Sequence, residues 1–75
     1  MKLKLNYYVI QEKEATNPLA GPKFYTFDFD ARDGAIVSLT DFTTATQWIE
    51  GSDVKGYAER YLSNYKILKV QIEEV

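Results

Sequence analysis

The sequence predicts an α+β fold: a mostly antiparallel four-stranded sheet in the order β-β-β-α-α-β, with one short and one longer helix packed on one face. Three observations carry this expectation. Apolar and polar residues alternate with period two over residues 2–12, on both sides of Asp33-Gly34, and again over 65–75. Between Val54 and Tyr65 the apolar positions instead recur with helical spacing. Glycine, proline and asparagine punctuate the boundaries.

In the first strand Leu3, Leu5, Tyr7 and Val9 fall on one side and Lys2, Lys4, Asn6 and Tyr8 on the other, which reads as a half-buried strand with the leucine side inward. The stretch KEATNPLAGPK, residues 13–23, follows as a long loop. Its Asn17-Pro18 and Gly21-Pro22 pairs favour turns, because proline fixes φ and restricts the residue before it. A connection of this length exceeds the usual hairpin loop, which makes it a candidate contact loop displaying Leu19.

Tyr25, Phe27 and Phe29 alternate with Thr26, Asp28 and Asp30 in a second strand, and Ala35, Val37 and Leu39 alternate with Ile36 and Ser38 in a third. A two-residue Asp33-Gly34 turn would place aspartates opposite apolar positions. A three-residue connection, Arg32-Asp33-Gly34, instead pairs Phe29 with Val37, Phe27 with Leu39 and Asp30 with Ile36. The aspartates then lie on the wet side. Read as a calcium loop, Asp28-x-Asp30-x-x-Asp33-Gly34 fails: an EF-hand needs an oxygen ligand at position 5, glycine at 6 and glutamate at 12, whereas counting from Asp28 this chain has Arg32 at 5, glycine only at 7 and Leu39 at 12. No metal site and no cofactor is expected.

After Leu39 the pattern becomes helical. Thr44-x-x-Gln47 resembles a capping box and Gly51 a helix stop, giving a short helix over 44–50 with Phe42, Ala45, Trp48 and Ile49 on its buried side. The longer helix starts at Ser52 or Asp53 as N-cap and carries Val54, Tyr57, Ala58, Tyr61, Leu62 and Tyr65 as one stripe. Gly56 weakens it modestly, and Asn64 suits a left-handed C-terminal position. In the last strand Leu68, Val70 and Ile72 alternate with Ile67, Lys69, Gln71 and Glu73. Its place in the sheet is not set by local pattern.

With 75 residues, 45% hydrophobic and 27% charged, the chain fits one domain over 1–75 without a membrane-spanning run. A core this small gains from self-association, so a homodimer is expected. The absence of cysteine suits a reducing, cytoplasmic setting, and with no histidine either, Cys–His and Ser–His nucleophilic machinery cannot be assembled. The N-terminal MKLKLNYYVI lacks an unbroken apolar core and a small-residue cleavage site, so it does not read as a signal peptide. Carboxylate pairs such as Glu12/Glu14 sit at strand ends expected to be wet, where their pKa values stay ordinary. An enzyme is not expected.

Two functional readings remain. The first is a non-enzymatic protein-binding or adaptor module that acts through an open sheet face and the 13–23 loop, with Tyr8, Ile10, Leu19, Phe24, Ile36 and Ile67 as contact candidates. The second is a nucleic-acid platform on Lys2, Lys4, Tyr8, Lys66 and Lys69, since phosphates seek cations and bases seek flat π surfaces. A net charge of −2 and the nearby aspartates weigh against it, as does the use of lysine to guard strand edges. A helix-turn-helix reading over Gly51-Ser52 is weaker still, because Asp53 and Glu59 neutralise Lys55 and Arg60 on the helix's outward side.

Overall fold

Strand β1 (Lys4–Gln11) is the spine of a five-stranded antiparallel sheet, completed by β2 (Phe24–Ala31), β3 (Gly34–Thr40), β4 (Trp48–Ile49) and β5 (Lys66–Glu73), with one helix, α1 (Val54–Tyr61). This computed structural model describes residues 4–31 and 34–73. β5 runs along the whole of β1, from Lys4↔Glu73 to Gln11↔Lys66. The opposite edge of β1 is shared: Gln11 pairs with Phe24 of β2, while Tyr7 and Tyr8 pair with Ile49 and Trp48 of β4.

β2 therefore leaves β1 almost at once, and the segment 46–49 fills the gap. Thr46 N donates to Tyr25 O at 3.4 Å and Thr46 Oγ1 accepts from Phe27 N at 2.7 Å. This wedge replaces the short helix expected over 44–50. Thr46 is β-branched and uses its hydroxyl on the neighbouring backbone, and Trp48 gains a core position by pairing with Tyr8, so strand pairing overrides a marginal helical pattern. Asp41, not Thr44, organises the turn before it: its Oδ1 accepts from Thr44 N at 2.9 Å and Thr43 Oγ1 at 2.8 Å. A helix-turn-helix is excluded, because residues 44–50 form a turn and the two-residue strand β4 rather than a first helix.

The β2–β3 hairpin keeps the expected faces in a different register. Phe27 pairs with Val37, Tyr25 with Leu39 and Asp28 with Ile36, two residues from the expected pairing, and a bulge lies between Asp28 and Ala31. A shift of two preserves which side each residue faces, so Asp28 remains exposed opposite the aromatic side. Asp33 and the side chain of Asp30 lie outside the described residues.

The helix stripe forms as expected. Val54 and Ala58 are buried with Ile10, Phe27 and Trp48, and Tyr57, Tyr61, Leu62 and Tyr65 pack around them. Asp53 is the N-cap, accepting from Gly56 N at 3.2 Å. Its carboxylate occupies the space a Cβ at Gly56 would need, so the glycine accommodates the cap as well as weakening the helix. The helix stops earlier than expected because Leu62 turns extended, and Asn64 is not left-handed. Its side chain instead reaches the 13–23 loop.

Candidate functional site

The core fixes which side of the sheet is covered. Antiparallel partners share a face, so Tyr8, Ile10, Trp48 and Ile67 stand together with Tyr25 and Phe27 beneath α1. Leu5, Tyr7, Val9, Ile49, Leu68, Val70 and Ile72 stand on the other side, the outer face. This inverts the expected assignment for the first and last strands. Pairing between them keeps Leu5, Tyr7 and Val9 beside Ile72, Val70 and Leu68, but the side chosen by Trp48 and the helix is the opposite one.

Three of the expected contact residues are accordingly corrected. Ile10 is fully buried, and Tyr8 and Ile67, on the helix side rather than an open face, are partly buried against the same core cluster. The other three remain at the surface. Leu19 is 99% exposed and Ile36 is 59% exposed, while Phe24 is half-buried with its ring edge-on to Phe42 at 5.3 Å. Phe24 lies on the outer face, so this ring contact brings the 41–45 turn over that end of the sheet. Val9 and Ala45, both buried, sit outside the helix-side core.

Beyond that turn the outer face is a ladder of apolar rows. Tyr7 lies between Ile49 on one side and Val70 on the other, Leu5 pairs with Ile72, and Val9 with Leu68. Rows on one face recur every two residues, roughly 6.6 Å, and neighbouring strands are about 4.8 Å apart, so these side chains touch as one surface. Leu5, Ile49 and Ile72 are 61%, 73% and 52% exposed. Apart from Gln11 and Lys66 at one end, the polar residues of these strands go to the helix side, where Asn6 Nδ2 donates to Glu50 Oε2 at 3.5 Å and Lys69 Nζ lies 3.7 Å from Glu50 Oε1. In this half the sheet's amphipathicity runs opposite to that of its helix-covered half.

The 13–23 loop is held at both ends and in the middle. Glu12, only 1% exposed, accepts from Lys23 N at 3.0 Å, from Thr16 N at 3.1 Å and from the Thr16 hydroxyl. The Thr16 hydroxyl and the Lys23 N–H hold its carboxyl below the usual range against the opposing effect of burial. The expectation that this strand end is wet is thereby corrected. Nearby, burial and the Glu12 charge push the Tyr25 phenol up, and its hydroxyl donates to Asn64 O at 2.7 Å. Asn17 folds the tip, accepting from Leu19 N at 3.1 Å through its side chain and from Ala20 N and Gly21 N through its carbonyl. Leu19 projects from this turn. A cleft of about 510 Å³ lined by Ala20, Pro22, Lys23, Phe24, Thr40, Asp41 and Phe42 lies at the loop's base.

Strand pairing sets Tyr8 opposite Lys69 on the helix side, as the lysine platform requires, and turns Lys66 to the outer side by parity. Lys69 lies beside Glu50, and Tyr8 is partly buried against the core cluster. Lys4 pairs with Glu73 through the backbone, and Lys2 lies outside the described residues. Among the described residues no three histidine, cysteine, aspartate or glutamate side chains gather at a metal-binding spacing. No described helix is long and apolar enough to cross a membrane.

Compared with models of protein families, with curated proteins and with solved structures, the chain finds no match in any of the three.

Proposed function

We propose that this chain is a small non-enzymatic protein-binding module whose main contact surface is the outer sheet face formed by Leu5, Tyr7, Ile49, Leu68, Val70 and Ile72. One observation carries the reading: three large aliphatic side chains more than half exposed stand in paired rows on a sheet face, while the Lys69–Glu50 ion pair of the same strands lies on the other side. Leaving such area in water forfeits about 25 cal/mol per Å² of apolar surface, so a contiguous patch of this kind is characteristic of an interaction site. Lys66 supplies a charge at its end, as polar rims do at interfaces. The 13–23 loop is the second contact element, a braced turn that displays Leu19. The cysteine-free sequence supports a cytoplasmic setting for this role.

The test compares tagged wild-type protein with a Leu5→Lys, Ile49→Lys double variant in cross-linked cell extract. Partners held by the wild type are expected to be lost from the variant while its circular dichroism is unchanged. Identical partner sets for the two proteins would sink the reading.

A further inference from the structure

Beside the apolar face runs an open strand edge. Among the described residues β5 pairs only with β1, so its other side presents unpaired backbone N–H and C=O groups along eight residues, Lys66–Glu73. The opposite edge of the sheet, β3, is uncharged from Gly34 to Thr40 and carries no feature that selects one partner over another. β5 does carry such a feature, because its sequence is self-complementary.

An antiparallel strand that pairs with its own copy about a two-fold axis perpendicular to the sheet keeps like faces together and places one residue opposite itself. Centring that axis on Lys69 sets two ammonium groups against each other. Centring it on Leu68 puts Lys66 against Val70 and Lys69 against Ile67. Moving it to Gln71 shortens the overlap of the described strand to residues 69–73. With the axis on Val70, seven residues pair, 67–73: Val70 meets its own copy, Leu68 meets Ile72, and Lys69 meets Gln71 with Glu73 of the other copy diagonal to it. Leu68, Val70 and Ile72 lie on the outer face, while the charged diagonal and the direct pair Ile67 with Glu73 at the strand's ends lie on the other.

We infer that the β5 edge is a homodimerisation site, and that its occupant is β5 of a second copy in the register centred on Val70. Pairing in this way joins two five-stranded sheets into one and fuses the two outer faces into a single apolar surface. Ile72, half-exposed in one copy, gains Leu68 of the other as a cross-strand neighbour. The lysines of β5, which alone would guard an edge, here favour a register: the two Lys69 face each other directly in the pairing centred on that residue, whereas in the one centred on Val70 they are only diagonal and Glu73 of the other copy is the second diagonal neighbour. A contact confined to one strand edge falls short of the roughly 1,200 Å² typical of stable complexes, so the dimer is a weak one. This extends the protein-binding reading by naming one partner, and it uses an edge rather than the Leu5 and Ile49 positions that test the face.

The chain has no native cysteine, so single engineered cysteines report the register without interference. Leu68→Cys and Ile72→Cys proteins are oxidised separately and as an equimolar mixture, at about 0.5 mM to suit a weak interface. The mixture is expected to form a disulfide-linked dimer at least about ten times faster than either protein alone, since like positions lie four residues out of register, roughly 13 Å apart along the strand. Lys69→Cys mixed with Gln71→Cys, two exposed positions, repeats the test where loss of Leu68 weakens folding. Wild-type protein at the same concentration is expected to sediment well above its 8.6 kDa monomer mass. A wild-type monomer, or mixtures no faster than their components, overturns the inference. Either result leaves the outer-face reading to the Leu5 and Ile49 variants.

Discussion

Glu12 and Lys23 close the long loop from both ends: Glu12 N donates to Lys23 O at 2.8 Å, and the Glu12 side chain accepts from Lys23 N at 3.0 Å. Three donors in all converge on this one buried carboxylate. Glu12→Gln keeps the shape but removes the charge and turns one acceptor into a donor facing donors. A fall in Tm of roughly 5 °C or more is expected, followed by the fluorescence of Trp48, the chain's one tryptophan.

The same carboxyl sets an acid limit. Glu12 and Asp41 both titrate below their ordinary values of 4.5 and 3.8, so their stabilisation is fully present above those values. It is lost as pH falls through the lowered values of the folded state. Tm is expected to hold steady from pH 7 to about 5 and to drop below about 4.5, with a shallower drop in Glu12→Gln. An equally steep decline in that variant contradicts the assignment.

Asn64 ties the far side of the loop to the chain after the helix, donating from Nδ2 to Glu14 O at 2.7 Å and accepting at Oδ1 from Glu14 N at 2.9 Å. Asn64→Ala loses both bonds. A cost of about 1–2 kcal/mol in urea denaturation is expected, at roughly 0.5–1.5 kcal/mol per net bond. Unchanged stability would show that the loop is not braced there.

Gly34 begins β3 with φ +109°, and the Tyr61 hydroxyl fills the space where a Cβ would stand. Gly34→Ala is expected to cost about 1–3 kcal/mol through strain alone, and more through the clash. Combining it with Tyr61→Phe, which removes the hydroxyl, should return part of that loss. A double-mutant cycle with zero coupling would contradict the contact.

Much of this was legible in the chain. The helix stripe Val54, Tyr57, Ala58 and Tyr61 was readable because helical spacing has only one buried side to offer. The hairpin faces were readable for the corresponding reason in a period-two strand, although its bulge was not, since nothing local to Phe29 or Asp30 announces it. Trp48 and Ile49 were misread because seven residues fit a helical turn and a strand equally well until Tyr8 selects the strand. The inversion of β1 and β5 has a different origin. Alternation separates Leu5, Tyr7 and Val9 from Tyr8 and Ile10, but the richer apolar side is assumed to face inward, and here most of it faces out. Such a departure from the ordinary pattern is expected where a surface serves contact rather than the core.

Glu50 beside Lys69, the partial burial of Tyr8 and the placement of Lys66 on the other face predict weak nucleic-acid binding. Single-stranded DNA and RNA should show no measurable association near 50 mM salt, where a real phosphate-binding stripe is strong. Binding that weakens steeply as salt rises would restore the platform reading.

The central claim is that the sheet turns Ile10 inward and Ile49 outward. Urea denaturation monitored by Trp48 fluorescence tests it most directly, comparing Ile10→Ala with Ile49→Lys. The account predicts a loss of about 2–5 kcal/mol for the first and a change within about 0.5 kcal/mol for the second. Tolerance of Ile10→Ala together with collapse of Ile49→Lys would contradict it.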